Sequence, residues 1–390
     1  MRDQAKPITN DERRARIEKA KRLLVREKIG ALVLTSGTSL TYFTNIRWFG
    51  GERLFACVIP AKGEPFFVCP AFEEDRAREL IALGPFGGSQ RADVRTWQED
   101  ESPYELLARG LRDRGLGTAT IGLDENAKFV WSDRIAAAAG RARVVSGIPI
   151  TAGCRAIKDA HELDLMQVAS NATLKVYEAV YRALQPGMTQ NDVSKLIDAA
   201  YERVGFRGGA SVQTGEFTAL PHGSVAPQVI REGTIIMVDD GCTVEGYQSD
   251  ITRTFVLGSA SDKAKRVFDI VKRAQTAALK AAKPGAPLAS IDAAARDVIT
   301  DAGYGPGFKY FTHRVGHGIG MEGHEWPYLV KNDMFGWTQS LNAQPGMTFS
   351  DEPGIYIRGE FGVRLEDDMA ITEDGARLFT PQSESLEHPF

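Results

Sequence analysis

The hydrophobic pattern of this chain changes character near residues 147–158, and that change points to two layered units rather than one. Ahead of it, helix-like and strand-like segments alternate. Residues 11–29 carry a charged amphipathic helix, with Gly30 as its stop. Ala31–Thr35 (ALVLT) reads as a buried strand, and 54–60 with 65–69 flank Ala61-Lys62-Gly63-Glu64 as a hairpin. Helices are expected at 72–83, 104–114 and 128–139, with strands at 118–123 and 143–146. Such alternation builds an α/β domain. Pro149 and Gly153 then interrupt the pattern.

Beyond the junction, apolar positions recur at helical spacing from Ala160 to Leu184, where Pro186-Gly187 ends the run. Thr189 caps the next helix, which runs to Val204. Strands are expected at 234–238, 244–247 and 251–256, helices at 262–282 and 288–302, and strand and loop thereafter. Helices followed by strands indicate an α+β domain, its helices covering one face of a curved antiparallel sheet. The expected division is 1–154 and 155–390, which suits 390 residues at ~100–200 per domain.

Composition excludes several classes. A hydrophobic fraction of 43% and a charged fraction of 25% are ordinary for a globular core. The net charge of −4, with signs mixed along the chain, lacks the basic stripe of a nucleic-acid surface. No apolar run approaches the ~20 residues of a membrane span. The polar N-terminus, MRDQAKPITNDERRARIEKAKR, lacks the apolar stretch of a signal peptide, so a cytoplasmic protein is expected. Cys57, Cys69, Cys154 and Cys242 form no CxxC pair and read as small buried hydrophobes.

Four features of the second half carry chemistry. Met237-Val238-Asp239-Asp240-Gly241 precedes Gly246-Tyr247-Gln248-Ser249-Asp250-Ile251-Thr252-Arg253-Thr254, and two antiparallel strands would bring Asp239 and Asp250 together. A carboxylate directly after the apolar run IIMV is costly to bury without a cation or donors. His313-Arg314-Val315-Gly316-His317-Gly318-Ile319-Gly320 follows, with His324 seven positions after His317. Its glycines and the lack of a Glu after His313 exclude a zinc-peptidase helix. The last two features are Asp351-Glu352-Pro353-Gly354 and Gly362-Val363-Arg364-Leu365-Glu366-Asp367-Asp368. An acid pair such as Asp367-Asp368 is usually solvated. Carboxylates plus one imidazole suit Mn²⁺, Co²⁺ or Zn²⁺. Two such ions can hold a bridging hydroxide and polarise a scissile carbonyl. No GxSxG nucleophile motif competes.

In this order the segments VDDG with GYQSDITRTF, HRVGHGIGMEGHE, SDEPGIYI and GVRLEDD resemble the pita-bread metallopeptidase family. Its members include methionine aminopeptidase, aminopeptidase P, Xaa-Pro dipeptidase (prolidase) and the metal-free creatinase. The resemblance implies a catalytic pita-bread domain over 155–390 and a creatinase-like domain over 1–154, where TSLTYFTNI resembles a segment of the smaller domain. It assigns metal ligation to Asp239, Asp250, His317, Glu352 and Glu366, the eleven-residue separation from Asp250 selecting Asp239 over Asp240. His222 is implied on the substrate side, and His313 and His324 as hydrogen-bond partners of substrate or intermediate. Glu352 is implied to shuttle a proton, and Arg364 and Thr252 to support the ligands from behind.

The implied activity is metal-dependent hydrolysis of the bond preceding proline in Xaa-Pro dipeptides, by a hydroxide bridging two divalent ions, with Mn²⁺ ahead of Co²⁺ or Zn²⁺. The implied assembly is a homodimer acting on short proline-containing peptides. The alternatives are an aminopeptidase P acting on Xaa-Pro-Yaa, a non-peptidase hydrolase or lyase, and a binding protein of the same fold. One departure bears on specificity. Prolidases carry an arginine shortly before the EPG motif that clamps the dipeptide carboxylate, and residues 332–350 contain no Lys or Arg. Arg358, Arg47 and Arg53 are the candidates to replace it.

Overall fold

The computed structural model describes residues 1–87, 92–332, 334 and 341–390. Two compact units emerge, one formed by Ile8–Arg155 and the other by Met1–Pro7 with Ala156–Phe390.

In the first unit, α1 (Asn10–Arg26), β1 (Ala31–Thr35), α2 (Thr38–Thr44), β2 (Ala56–Pro60), β3 (Phe66–Pro70) and α3 (Glu74–Leu83) come first. They are followed by β4 (Asp93–Trp97), α4 (Pro103–Asp113), β5 (Thr120–Leu123), α5 (Phe129–Ala138), β6 (Arg143–Ser146) and α6 (Ile148–Arg155). Among the described residues the strands form one mixed sheet, β4-β3-β2-β1-β5-β6. β1, β2 and β3 are buried at every position, and the α/β alternation read from the sequence is realised. The hairpin forms as expected, β2 pairing antiparallel with β3 around Gly63 at φ 93°.

Three details differ. Thr9 caps α1 in a reciprocal box with Glu12, but the helix stops before Gly30, and Lys28 takes the left-handed conformation at φ 57°. The junction is itself helical in α6, because Pro149 falls in the first turn, where its missing N–H has no partner to lose. α2 and β4 lie where no element was expected.

The second unit opens with α7 (Ala160–Ala183) and α8 (Gln190–Val204), capped by Asp159 and Thr189. Short strands β7 (Arg207–Gly208) and β8 (Ser211–Thr214) precede β9 (Ile235–Asp240), β10 (Cys242–Val244), β11 (Tyr247–Gln248) and β12 (Ile251–Val256). Then come α9 (Asp262–Ala281), α10 (Leu288–Asp301), β13 (Gly316–Gly318), β14 (Glu325–Leu329) and β15 (Thr348–Asp351). β16 (Gly354–Ile357), β17 (Phe361–Arg364), β18 (Asp367–Ile371) and β19 (Ala376–Leu378) complete the chain. All pairings here are antiparallel, in sheets ordered β12-β9-β8, β14-β13-β15-β18-β19, β16-β17 and β11-β10-β7.

The expected strand over 244–247 is instead a turn between β10 and β11, with Glu245 at φ 49° and Gly246 at φ 94°. The core lies between the helices and one sheet face. Val267, Phe268 and Val271 of α9 and Ile291 and Ala295 of α10 pack with Phe349, Met369 and Val363. Burying these apolar faces leaves the opposite sheet surface to carry polar side chains.

Candidate metal centre

The strand registers decide which acids meet. β9 and β12 pair so that Asp239 faces Thr252, and Asp250 sits just ahead of β12. The Thr252 hydroxyl therefore reaches Asp239 Oδ1 at 2.7 Å and, across to the segment after β17, Glu366 Oε2 at 2.5 Å. β13 places His317 beside β15, and Glu352 follows β15 directly. Close strand approach requires Gly316, where a Cβ would lie 2.0 Å from the Ser350 carbonyl.

The five expected ligands converge. Ligand atoms of Asp239, Asp250 and Glu366 lie within 4.8 Å of one another, as do those of His317, Glu352 and Glu366. His317 Nε2 is 3.4 Å from Glu352 Oε1 and 3.8 Å from Asp250 Oδ2. Its Nδ1 lies 3.1 Å from the Gly318 carbonyl, which fixes that nitrogen as the donor and leaves Nε2 facing the carboxylates.

The electrostatics are those of a site short of cations. Burial, with Asp239 and Asp368 adding, pushes Asp250 well above the usual carboxylate range, and burial with Asp250 and Glu352 does the same to Glu366. Glu352 rises to about 7, chiefly through burial. Burial would also raise Asp239, but Arg364 and Thr252 hold it low. His317 is lowered to about 3, first by burial and then by His324. Hard oxygens with one neutral imidazole, crowded and mutually repelling, fit divalent cations that would supply the missing positive charge.

Supporting residues surround this floor. Arg364 donates to Asp239 Oδ2 at 2.6 Å, to Thr252 Oγ1 at 3.0 Å, to the Tyr356 hydroxyl at 2.9 Å and to the Pro221 carbonyl at 3.0 Å. Asp250 is positioned through its own N–H, which donates to Asp368 Oδ2 at 2.9 Å. The Asp367-Asp368 pair, expected to be solvated, is fully buried. Asp367 is neutralised by Arg253 at 2.6 Å, with Thr380 and Gln275 completing its hydrogen bonds. Lys158 forms a buried pair with Glu325 at 2.7 Å and so anchors the loop that ends in His324.

The histidines occupy different situations. His324 stacks on His317 with centroids 3.6 Å apart, and its ligand atom falls with those of His317 and Asp250. His313 has Nε2 2.7 Å from the Tyr356 hydroxyl and Nδ1 2.8 Å from the Arg314 carbonyl, so both nitrogens are engaged in this structure. Burial lowers it to about 3, with Arg364 adding. His222 is exposed in the loop after β8 and lines the cleft with Pro221.

The cleft has a volume of about 420 Å³, and Val330, Asn332, Met334 and Arg314 share its lining with the ligands. Arg314 and Tyr356 received no role from sequence reasoning. Their signal was position alone, Arg314 beside His313 and Tyr356 two residues past Gly354. Among the carboxylate-clamp candidates, Arg358 is exposed in the turn between β16 and β17 and does not line this cleft. Arg53 pairs with Glu99 and Glu52 in the first unit, where Arg47 is exposed. Of the stretch 332–350, residues 333 and 335–340 lie outside the described residues.

Comparison with known proteins identifies the family. The family description "Metallopeptidase family M24" matches residues 164–373, and "Creatinase/Prolidase N-terminal domain" matches 16–157. The chain is 36% identical over 352 residues to a probable dipeptidase PepE of Mycobacterium tuberculosis, covering 89% of each. It is 31% identical over 363 residues to an Xaa-Pro dipeptidase of Lactobacillus helveticus, covering 90% of this chain and 93% of that one. The crystal structure of dipeptidase PepE from Mycobacterium ulcerans superimposes with a TM-score of 0.89 at 33% identity, covering 98% and 99%.

Proposed function

The chain belongs to metallopeptidase family M24 and is a peptidase of pita-bread fold, and from that premise we propose that it is an Xaa-Pro dipeptidase using two divalent ions. The observation that carries this reading is the sharing of Glu366. It belongs to one donor triad with Asp239 and Asp250 and to another with His317 and Glu352, so one cleft floor offers two adjoining places for a cation. The names of the relatives, dipeptidase and Xaa-Pro dipeptidase, support the substrate class.

Bound there, divalent ions would supply Lewis acidity for the scissile carbonyl and acidify a water molecule. The protein's own groups do the rest. Asp239 and Asp250 hold one side of the floor, and His317 with Glu352 the other. Arg364 and Thr252 keep Asp239 ionised and aimed. Glu352 takes the water's proton and returns it to the departing proline nitrogen. His222 and His324 line the cleft where the peptide lies. Tyr356, donating to His313 and accepting from Arg364, couples the histidine to the ligand set. Mn²⁺, cytoplasmic location and a homodimer complete the proposal.

The test is a metal-reconstituted assay with Ala-Pro, Leu-Pro and an Xaa-Pro-Yaa tripeptide. Hydrolysis of the dipeptides should require Mn²⁺, and Asp250→Ala or His317→Ala should abolish it while lowering metal occupancy. Full activity in either variant overturns the ligand assignment. Efficient tripeptide cleavage with little dipeptide activity would leave aminopeptidase P instead.

A further inference from the structure

We propose that Arg314 receives the substrate's C-terminal carboxylate and thereby makes the enzyme select dipeptides. The inference rests on the dipeptidase reading and names the group that sets its chain-length preference. A dipeptide presents opposite charges at its two ends. The floor of this cleft is acidic, with Asp239, Asp250, Glu352 and Glu366. Two arginines line it. Arg364 is buried beneath the floor and donates to Asp239, Thr252, Tyr356 and a backbone carbonyl. Arg314 lies on the histidine side, half-buried, with its guanidinium 4.1 Å from the centre of the Tyr328 ring. Stacking of this kind fixes the plane of the fork, and a planar fork suits a carboxylate.

The position suits the carboxylate of a dipeptide. In Xaa-Pro the scissile carbonyl carbon and the carboxylate carbon are three bonds apart, roughly 3–4 Å. An anchoring cation must therefore sit one side chain away from the metal ligands. Arg314 Nη2 is 3.4 Å from His324 Nδ1, and the His324 ring stacks 3.6 Å from that of His317, a ligand. The same guanidinium disfavours a third cation at the Asp250, His317 and His324 triad and attracts an anion to its own side of the cleft, away from the carboxylates. A tripeptide would place a neutral amide at Arg314 and lose the charge-assisted bonds.

The experiment measures kcat and KM for Ala-Pro, its C-terminal amide and Ala-Pro-Ala with the manganese-loaded wild type, Arg314→Met and Arg314→Lys. In Arg314→Met the dipeptide KM should rise ~10- to 100-fold, as expected for losing hydrogen bonds to a charged group, with kcat little changed. The amide and tripeptide should be cleaved as by the wild type, so the preference for a free carboxylate disappears. Inhibition by free proline should weaken in parallel. Arg314→Lys should recover part of the preference. It also carries the test should Arg314→Met fold poorly, because it keeps the charge and loses only the planar fork. Equal losses on dipeptide and amide in Arg314→Lys, or an unchanged dipeptide KM in Arg314→Met, would overturn the proposal while leaving the dipeptidase reading intact. Failure of the wild type to cleave Ala-Pro would overturn that reading, and this proposal with it.

Discussion

Thr252→Val is the substitution that isolates one hydrogen-bond system at the metal centre, because it keeps shape and charge and removes only a hydroxyl. That hydroxyl accepts from Arg364 Nε at 3.0 Å and lies 2.7 Å from Asp239 Oδ1 and 2.5 Å from Glu366 Oε2. Its single proton cannot serve both carboxylates. The second contact needs a proton on a carboxyl, and Glu366, raised well above the usual range by burial and by Asp250, is the group to hold it. A cation would displace that proton and leave Thr252 to orient whichever oxygen it donates to. Hydrogen bonds to charged groups contribute ~1.5–3 kcal/mol. Groups supporting metal ligands typically matter 10–100-fold in affinity, about 1.4–2.7 kcal/mol. Both figures predict the same outcome: Mn²⁺ binding by Thr252→Val weakened ~10- to 100-fold, with Thr252→Ser close to wild type. Competition against a chelator near neutral pH measures the affinity directly. The thermal stabilisation conferred by a fixed excess of Mn²⁺ should shrink in step. An unchanged affinity in Thr252→Val would refute the claim that this hydroxyl organises the ligands.

Metal affinity should rise with pH through the neutral region. His317, lowered to about 3, is already neutral there, whereas Glu352 at about 7 and the raised Asp250 and Glu366 must give up protons, so calorimetry in buffers of different ionisation enthalpy should register proton release. An affinity flat from acid to neutral pH would contradict the protonation states argued above. Arg253→Met should destabilise the fold by ~3–5 kcal/mol, because it strands a fully buried Asp367, and adding Asp367→Leu should recover much of that loss in denaturant melts. Near-wild-type stability of the single variant would mean Asp367 needs no counter-charge. Gly316→Ala forces a Cβ against the Ser350 carbonyl and should move β13 with His317, costing ~1–3 kcal/mol and weakening metal binding. Intact Mn²⁺ affinity in that variant would show the strand contact to be uninvolved.

Local pattern determined much of this protein. The apolar run ending in Asp239 and the strand expected over 251–256 form an antiparallel pair, and that pair brings Asp239 and Asp250 together. Thr189 with Asp192 and Asp159 with Glu162 announce helix starts, because a capping box closes within one turn. The α6 helix escaped notice because proline reads as a breaker unless its place in the first turn is known. The turn at Glu245-Gly246 was hidden because the residues on both sides of it belong to strands. Tertiary structure decided what lies beneath and beside the metal floor. Asp367-Asp368 looks solvated in sequence, and its burial rests on groups the fold brings to it, Arg253 from β12 on Asp367 and the Asp250 N–H on Asp368. Lys158 finds Glu325 across 167 positions, and Tyr356 engages His313 across 43. The periodicity of a strand or helix is a property of neighbours along the chain, whereas the counter-charge of a buried group is a property of whatever the fold brings near it.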